Sequence, residues 1–197
     1  VSDVKLTKTE LKVQSDSLKR YKRYLPTLVL KQQQLQLVIN NLRAQQRDVM
    51  TKRRKVIEEL ERWVAVFVDP FAFQEYIHIE NIVFEEENIA GVDIENFIDL
   101  EISVKPYDIL TAPFWLERGI AALEESIKLN ITISALEESI RKLQYELQVT
   151  IQRVNLFDQI LIPRAKENIR KIRIFLGDQQ TASVVRGKIA KRKLVEV

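Results

Sequence analysis

Along the first part of the chain, apolar residues recur at alternating spacings of three and four. One row reads Val4, Leu11, Leu18, Leu25, Gln32, Ile39, Gln46, Arg53, Leu60 and Phe67. Its companion reads Thr7, Gln14, Tyr21, Leu28, Leu35, Leu42, Val49, Val56 and Trp63. Two such rows held in phase for about nine heptads predict a single long helix with a coiled-coil seam. A helix of about 60 residues is roughly 90 Å long and cannot be enclosed by a compact domain of this size. Pro26 falls inside the pattern, where it removes a backbone hydrogen bond and crowds the preceding turn. The heptad phase continues across it, which predicts a kink or local break within one element. Gln32, Gln46 and Arg53 are polar seam positions. They read as register control or water contact, with a face turned to another protein of an assembly as the sharper reading.

A second helix is expected to open near Pro113–Trp115, because proline suits the first helical turn. Its seam runs through Ile133, Leu136, Ile140, Leu143, Leu147, Ile151, Val154, Asp158, Leu161, Ala165, Ile169, Ile172 and Leu176. The spacing drifts from 3.5 towards 3.6 in the last half, which predicts a relaxing supercoil. Pro163 predicts a further kink, and Gly177 either ends this helix or loosens it.

Residues 69–113 change period. Ile77, Ile79 and Phe84, then Leu100, Ile102 and Val104, alternate with polar residues, and Glu85–Gly91 reads as the turn between them. That is the pattern of a β-hairpin, which needs helices or a partner to pack against. The expected fold is mainly α: a long antiparallel two-helix coiled coil of the N- and C-terminal helices, with a small β-hairpin insert. The expected divisions are an N-terminal coiled-coil helix over 1–68, an acidic hairpin-containing insert over 69–113, and a C-terminal coiled-coil helix with a basic tail over 114–197.

Composition agrees with long helices: 4 Gly, 5 Pro, 46% hydrophobic and 30% charged among 197 residues. The net charge is only +3 but is unevenly spread. Residues 1–62 carry 15 Lys and Arg against 7 Asp and Glu, and residues 163–197 carry 10 against 3. Residues 69–113 carry 1 against 11. With the two ends side by side, one pole is basic and the other acidic. There are no cysteines, which removes disulfides and thiolate metal sites. The start of the chain is polar and reads as having no secretory leader. The most apolar stretch, Trp63 to Val68, falls far short of the about 20 residues that a membrane span needs.

No chemical site emerges. His78 is the only histidine, and one imidazole does not make a metal centre. Glu85–Glu86–Glu87 read as a solvated acidic turn, since no spaced cation-ligand loop surrounds them. Glycines at 91, 119, 177 and 187 cannot build a phosphate loop, so no ATP-hydrolysing site, metal or cofactor is expected. The tail Arg186-Gly187-Lys188-Ile189-Ala190-Lys191-Arg192-Lys193 has the charge for phosphate but no interleaved aromatic residue. It reads as a solvated or protein-facing helix and not as a nucleic-acid patch.

One stretch is more specific than periodicity. Arg153-Val154-Asn155, then Ile162-Pro163-Arg164, then Lys166, Ile169, Ile172 and Leu176 resemble the C-terminal signature of the D subunit of the V-type and archaeal-type rotary ATPases. Arg186, Lys188 and Lys191 fall where that family carries a basic end. Leu6-Thr7-Lys8 with Leu11, and Lys31 with Leu35, resemble its opening helix. The departures are Gly177–Ala182 in place of an acidic, arginine-rich stretch, Gln32–Gln34 in place of a lysine- and aspartate-rich one, and Pro26.

The resemblance implies a non-catalytic central-stalk protein, the rotor shaft of a V/A-type ATPase or ATP synthase. Such a shaft couples ATP turnover in a ring of catalytic A and non-catalytic B subunits to proton or sodium transport. Its implied partners are that ring, the small F subunit of the stalk and a membrane-side socket subunit, with no nucleic acid and no insertion into the bilayer. The implied location is cytoplasmic, peripheral to the membrane. Arg153, Val154, Asn155, Ile162, Pro163, Arg164, Lys166, Arg186 and Lys188 are then structural or partner-facing. The alternative from the residues alone is a free-standing coiled-coil scaffold or adaptor.

Overall fold

The computed structural model describes residues 4–63, 77–107 and 115–195. Seam residue Phe67 and the expected helix opening at Pro113 lie outside the described residues. Helix α1 is Lys8–Trp63, strands β1 and β2 are Ile77–Ile89 and Val92–Val104, and helix α2 is Leu116–Asn155. A π-helical turn, Leu156–Leu161, then joins α2 to helix α3, Ile162–Val195. The described fold is therefore mainly α with one two-stranded antiparallel hairpin, as the periodicities predict.

Thr7 caps α1: its Oγ1 accepts the Glu10 backbone N–H at 3.2 Å, three residues on. This satisfies one of the donors that a helix start leaves orphaned. Helix α1 runs through Pro26 without a break. Beside it, the Thr27 hydroxyl donates to the Tyr24 carbonyl at 2.7 Å. Gly177 does not end α3, which continues to Val195. Helix α2 opens with the Gly119 N–H donating to the Trp115 carbonyl.

Two compact units divide the chain: Val1–Gln32 with Val149–Val197, and Gln33–Gln148. In the first, Asn168 Nδ2 donates to Gln14 Oε1 at 3.4 Å. Tyr21 meets Phe157 edge-on at 5.4 Å. Because the residue number falls on one helix as it rises on the other, the pairing is antiparallel. Thr150, Ile162, Ala165, Ile169 and Ile172 are its buried positions. Leu11, Leu18, Leu25 and Leu28 of α1 are half-buried.

In the second unit, Leu35, Ile39 and Leu42 of α1 pack with Ile140 and Leu143 of α2, again antiparallel. Gln46 Nε2 donates to Glu137 Oε1 at 3.1 Å, so this polar seam residue bonds to the opposite helix. The hairpin completes the core: Ile94 of β2 is 1% exposed and belongs to the same cluster. A smaller cluster of Trp115, Leu116 and Ile120 takes in Ile77 and Tyr107.

The hairpin is longer than the alternation suggests. Glu85 to Ile89 continue β1, and the turn is only Ala90 and Gly91, between the paired Ile89 and Val92. Their φ values of 53° and 83° suit the two-residue turn whose twist matches a hairpin. Asn88 Oδ1 accepts the Gly91 N–H at 3.1 Å and steadies the turn. Register shifts at Ile79/Asn81 and Val83/Phe84 leave Glu80 and Ile98 as extra residues. Such bulges switch which face the following side chains take. Ile79, Phe84, Ile98 and Val104 accordingly remain exposed while Ile94 and Leu100 are buried.

Candidate functional site

The residues singled out in the sequence lie on the returning helix. Arg153, Val154 and Asn155 are the last three residues of α2, and Ile162, Pro163 and Arg164 are the first three of α3. The two halves of the distinctive stretch therefore bracket the π-helical turn. Only the apolar members face inward: Val154 is half-buried and Ile162 is 7% exposed. Arg153, Asn155, Pro163, Arg164 and Lys166 are exposed, as are Arg186 and Lys188 further along α3. The structure brings these residues onto one helical element but does not converge them on a point.

Next to them, Leu161, Arg164, Ala165 and Asn168 share an open groove with Lys5, Glu10, Gln14 and Tyr21. Within it the Gln14 amide donates to Glu10 Oε1 at 2.8 Å while accepting from Asn168. Lys171 bonds Glu167 at 2.7 Å and, with Arg170, holds that carboxyl below the usual carboxylate range. These are helix-surface interactions and carry no proton-transfer geometry. Among the described residues no three His, Cys, Asp or Glu side chains cluster to hold a metal.

Phe157 and Thr150 escape the periodic pattern. The 3–4 count puts Asp158 in the seam, but Asp158 is exposed and its neighbour Phe157 meets Tyr21. Thr150 is 1% exposed beside the expected Ile151. The anchors of the hairpin carry no sequence signal either. Lys128 pairs with Asp99 at 3.3 Å and Glu124 at 3.0 Å, and Lys142 pairs with Glu95 at 3.5 Å. Asp99 is held below its ordinary value, first by the Leu100 backbone N–H and then by Lys128. Lys128 is held above its own by Glu124 and Asp99. Ser139 donates to the Glu95 carbonyl at 3.4 Å. Lysines two heptads apart on a helix are ordinary surface residues, so only the fold reveals what they hold.

The sequence profile of a family described as the ATP synthase D subunit matches residues 10–192. The chain belongs to the ATP synthase D-subunit family. Among its relatives, a V-type ATP synthase D subunit of Borreliella burgdorferi is 43% identical over 196 residues, covering 100% of this chain and 97% of the relative. A protein of the same description from Chlamydia felis is 31% identical, covering 98% of this chain and 94% of its own length. That of Chlamydia muridarum is 30% identical, with 98% and 97% covered. The match to the D-subunit family thus runs through α1, the hairpin, α2 and most of α3, not only the stretch around the π-helical turn. No helix among the described residues is long and apolar enough to cross a membrane.

Proposed function

We propose that this member of the D-subunit family is the non-catalytic rotor shaft of a V/A-type rotary ATPase or ATP synthase. In this reading it turns inside a ring of A and B subunits, pairs with the small F subunit of the stalk, and seats on a socket above the membrane-embedded ion carrier. It works at the cytoplasmic face, peripheral to the membrane, and couples ATP turnover to proton or sodium transport. The observation that carries the reading is the full-length family match on a chain whose N- and C-terminal helices pair antiparallel in each unit. Two helices locked by a shared seam resist bending and twisting better than one, which is what a torque-bearing element needs. The exposed cations of α3, among them Arg164, Lys166, Arg186 and Lys188, suit contact with the inner wall of a ring. The acidic hairpin suits the stalk side.

The test is reconstitution. Co-expressed with the ring and F subunits, the chain should co-purify with them, rotate within the ring when ATP is supplied, and be required for the assembled ring's ATPase activity. Failure to join either partner, or ATP hydrolysis by the isolated chain, overturns the reading.

A further inference from the structure

We infer that the π-helical turn Leu156–Leu161 houses one inserted residue, which resets the seam of the returning helix around Pro163. In the first unit, Thr150 and Val154 set a seam phase whose continuation in a regular heptad is 157, 161, 164, 168 and 171. Phe157 keeps to that phase, since it touches Tyr21. Beyond the turn the buried positions are instead Ile162, Ala165, Ile169 and Ile172, each one residue later than the phase requires. In an unbroken α-helix one extra residue rotates everything downstream by about 100° and would turn that seam away from α1. A π-helical turn absorbs one extra residue without that rotation. Its bonding is visible at the exit, where the Ile162 N–H reaches back five residues to the Phe157 carbonyl. The drift in average spacing is therefore one discrete step and not a gradual relaxation of the supercoil.

The location follows from Pro163. Inside an α-helix a proline ring crowds the carbonyl four residues back, here that of Gln159. Widening the helix over the turn just before Pro163 relieves that contact. The same turn thus accommodates the insertion and the proline, and Asp158, Gln159 and Ile160 bulge to the exposed side.

The chain has no native cysteine, so the phase can be read by cross-linking the full-length protein. With Gln14→Cys and Asn168→Cys, a short bismaleimide should join the two helices where their side chains now hydrogen-bond. Deleting Gln159 in that background should keep the cross-link, because the deletion removes the insertion and the wide turn together. Deleting Lys166 instead, past the turn, should abolish it by rotating position 168 away from position 14. Without the wide turn Pro163 sits in a regular helix. Pro163→Ala should then raise the melting temperature more in the Gln159-deleted chain than in the parent. Loss of the cross-link on deleting Gln159, whether the chain stays helical or unfolds, overturns the inference. So does an equal effect of Pro163→Ala in both backgrounds.

Discussion

Ile94 is the most deeply buried residue of the hairpin, and replacing it tests the packing of the second unit most directly. Ile94 is buried among Leu35, Ile39, Leu42, Ile140 and Leu143. Ile94→Ala removes three carbons, about 2.4 kcal/mol of transfer free energy at about 0.8 kcal/mol per buried carbon. A residual cavity brings the total to about 3 kcal/mol. The other ties are weaker: the Lys142–Glu95 and Lys128–Asp99 pairs lie in solvent, where screening and side-chain entropy leave an ion pair little net effect. A two-stranded sheet is marginal by itself, so its order depends on its buried residues, of which Ile94 at 1% exposed is the most enclosed. Hydrogen exchange reads the loss. Amides of β1 and β2 should exchange on the order of 100-fold faster in Ile94→Ala, since about 1.4 kcal/mol is tenfold. Ile98→Ala is the control, because Ile98 lies on the same strand but is 55% exposed. Its amides should exchange much as in the parent. Unchanged hairpin protection in Ile94→Ala, or equal effects of the two substitutions, would refute the assignment of Ile94 as the main anchor.

Thr150→Val should raise stability by about 1 kcal/mol in denaturant melts, because the buried Thr150 hydroxyl has no hydrogen-bond partner among the described residues and the replacement keeps its shape. Ala90→Asn should also stabilise by about 1 kcal/mol, since alanine at φ 53° is strained and asparagine tolerates that region; hairpin amide protection checks it. Asp99 has its carboxyl lowered from the ordinary 3.8 in the folded state. Its contribution is full above that value and is lost as pH falls through the folded value. The thermal destabilisation of Asp99→Asn should therefore be measurable near neutrality and vanish in acid once the pH has fallen through that lowered value.

The α1 seam is legible in the sequence because its signal repeats. Of the positions in the two rows from Val4 to Leu60, all but Thr7 and Arg53 are buried or half-buried. Two of the polar members are explained by partners across the seam, as Gln14 meets Asn168 and Gln46 meets Glu137. The returning helix is legible in its type but not in its phase. One extra residue spread over a long apolar series looks like a small change in average spacing, and only residue-by-residue burial places it at Leu156–Leu161. The hairpin turn is misleading in sequence because Glu85, Glu86 and Glu87 look like loop chemistry, yet a strand exposed on both sides accepts them. Family membership is legible from Arg153–Asn155 and Ile162–Arg164. The role of those residues is not, since their geometry turns on the π-helical turn between them.

The hairpin leaves a further consequence for handling the protein. Among the described residues its sheet has only two strands, each thirteen residues long, so each offers an unpaired edge. Such edges template pairing with other chains. Glu80, Glu85 and Glu86 are exposed along β1, and their charges keep a second copy's like-charged strand at a distance. Replacing Glu80, Glu85 and Glu86 with Gln would remove this shield and make edge-to-edge aggregation the protein's characteristic failure.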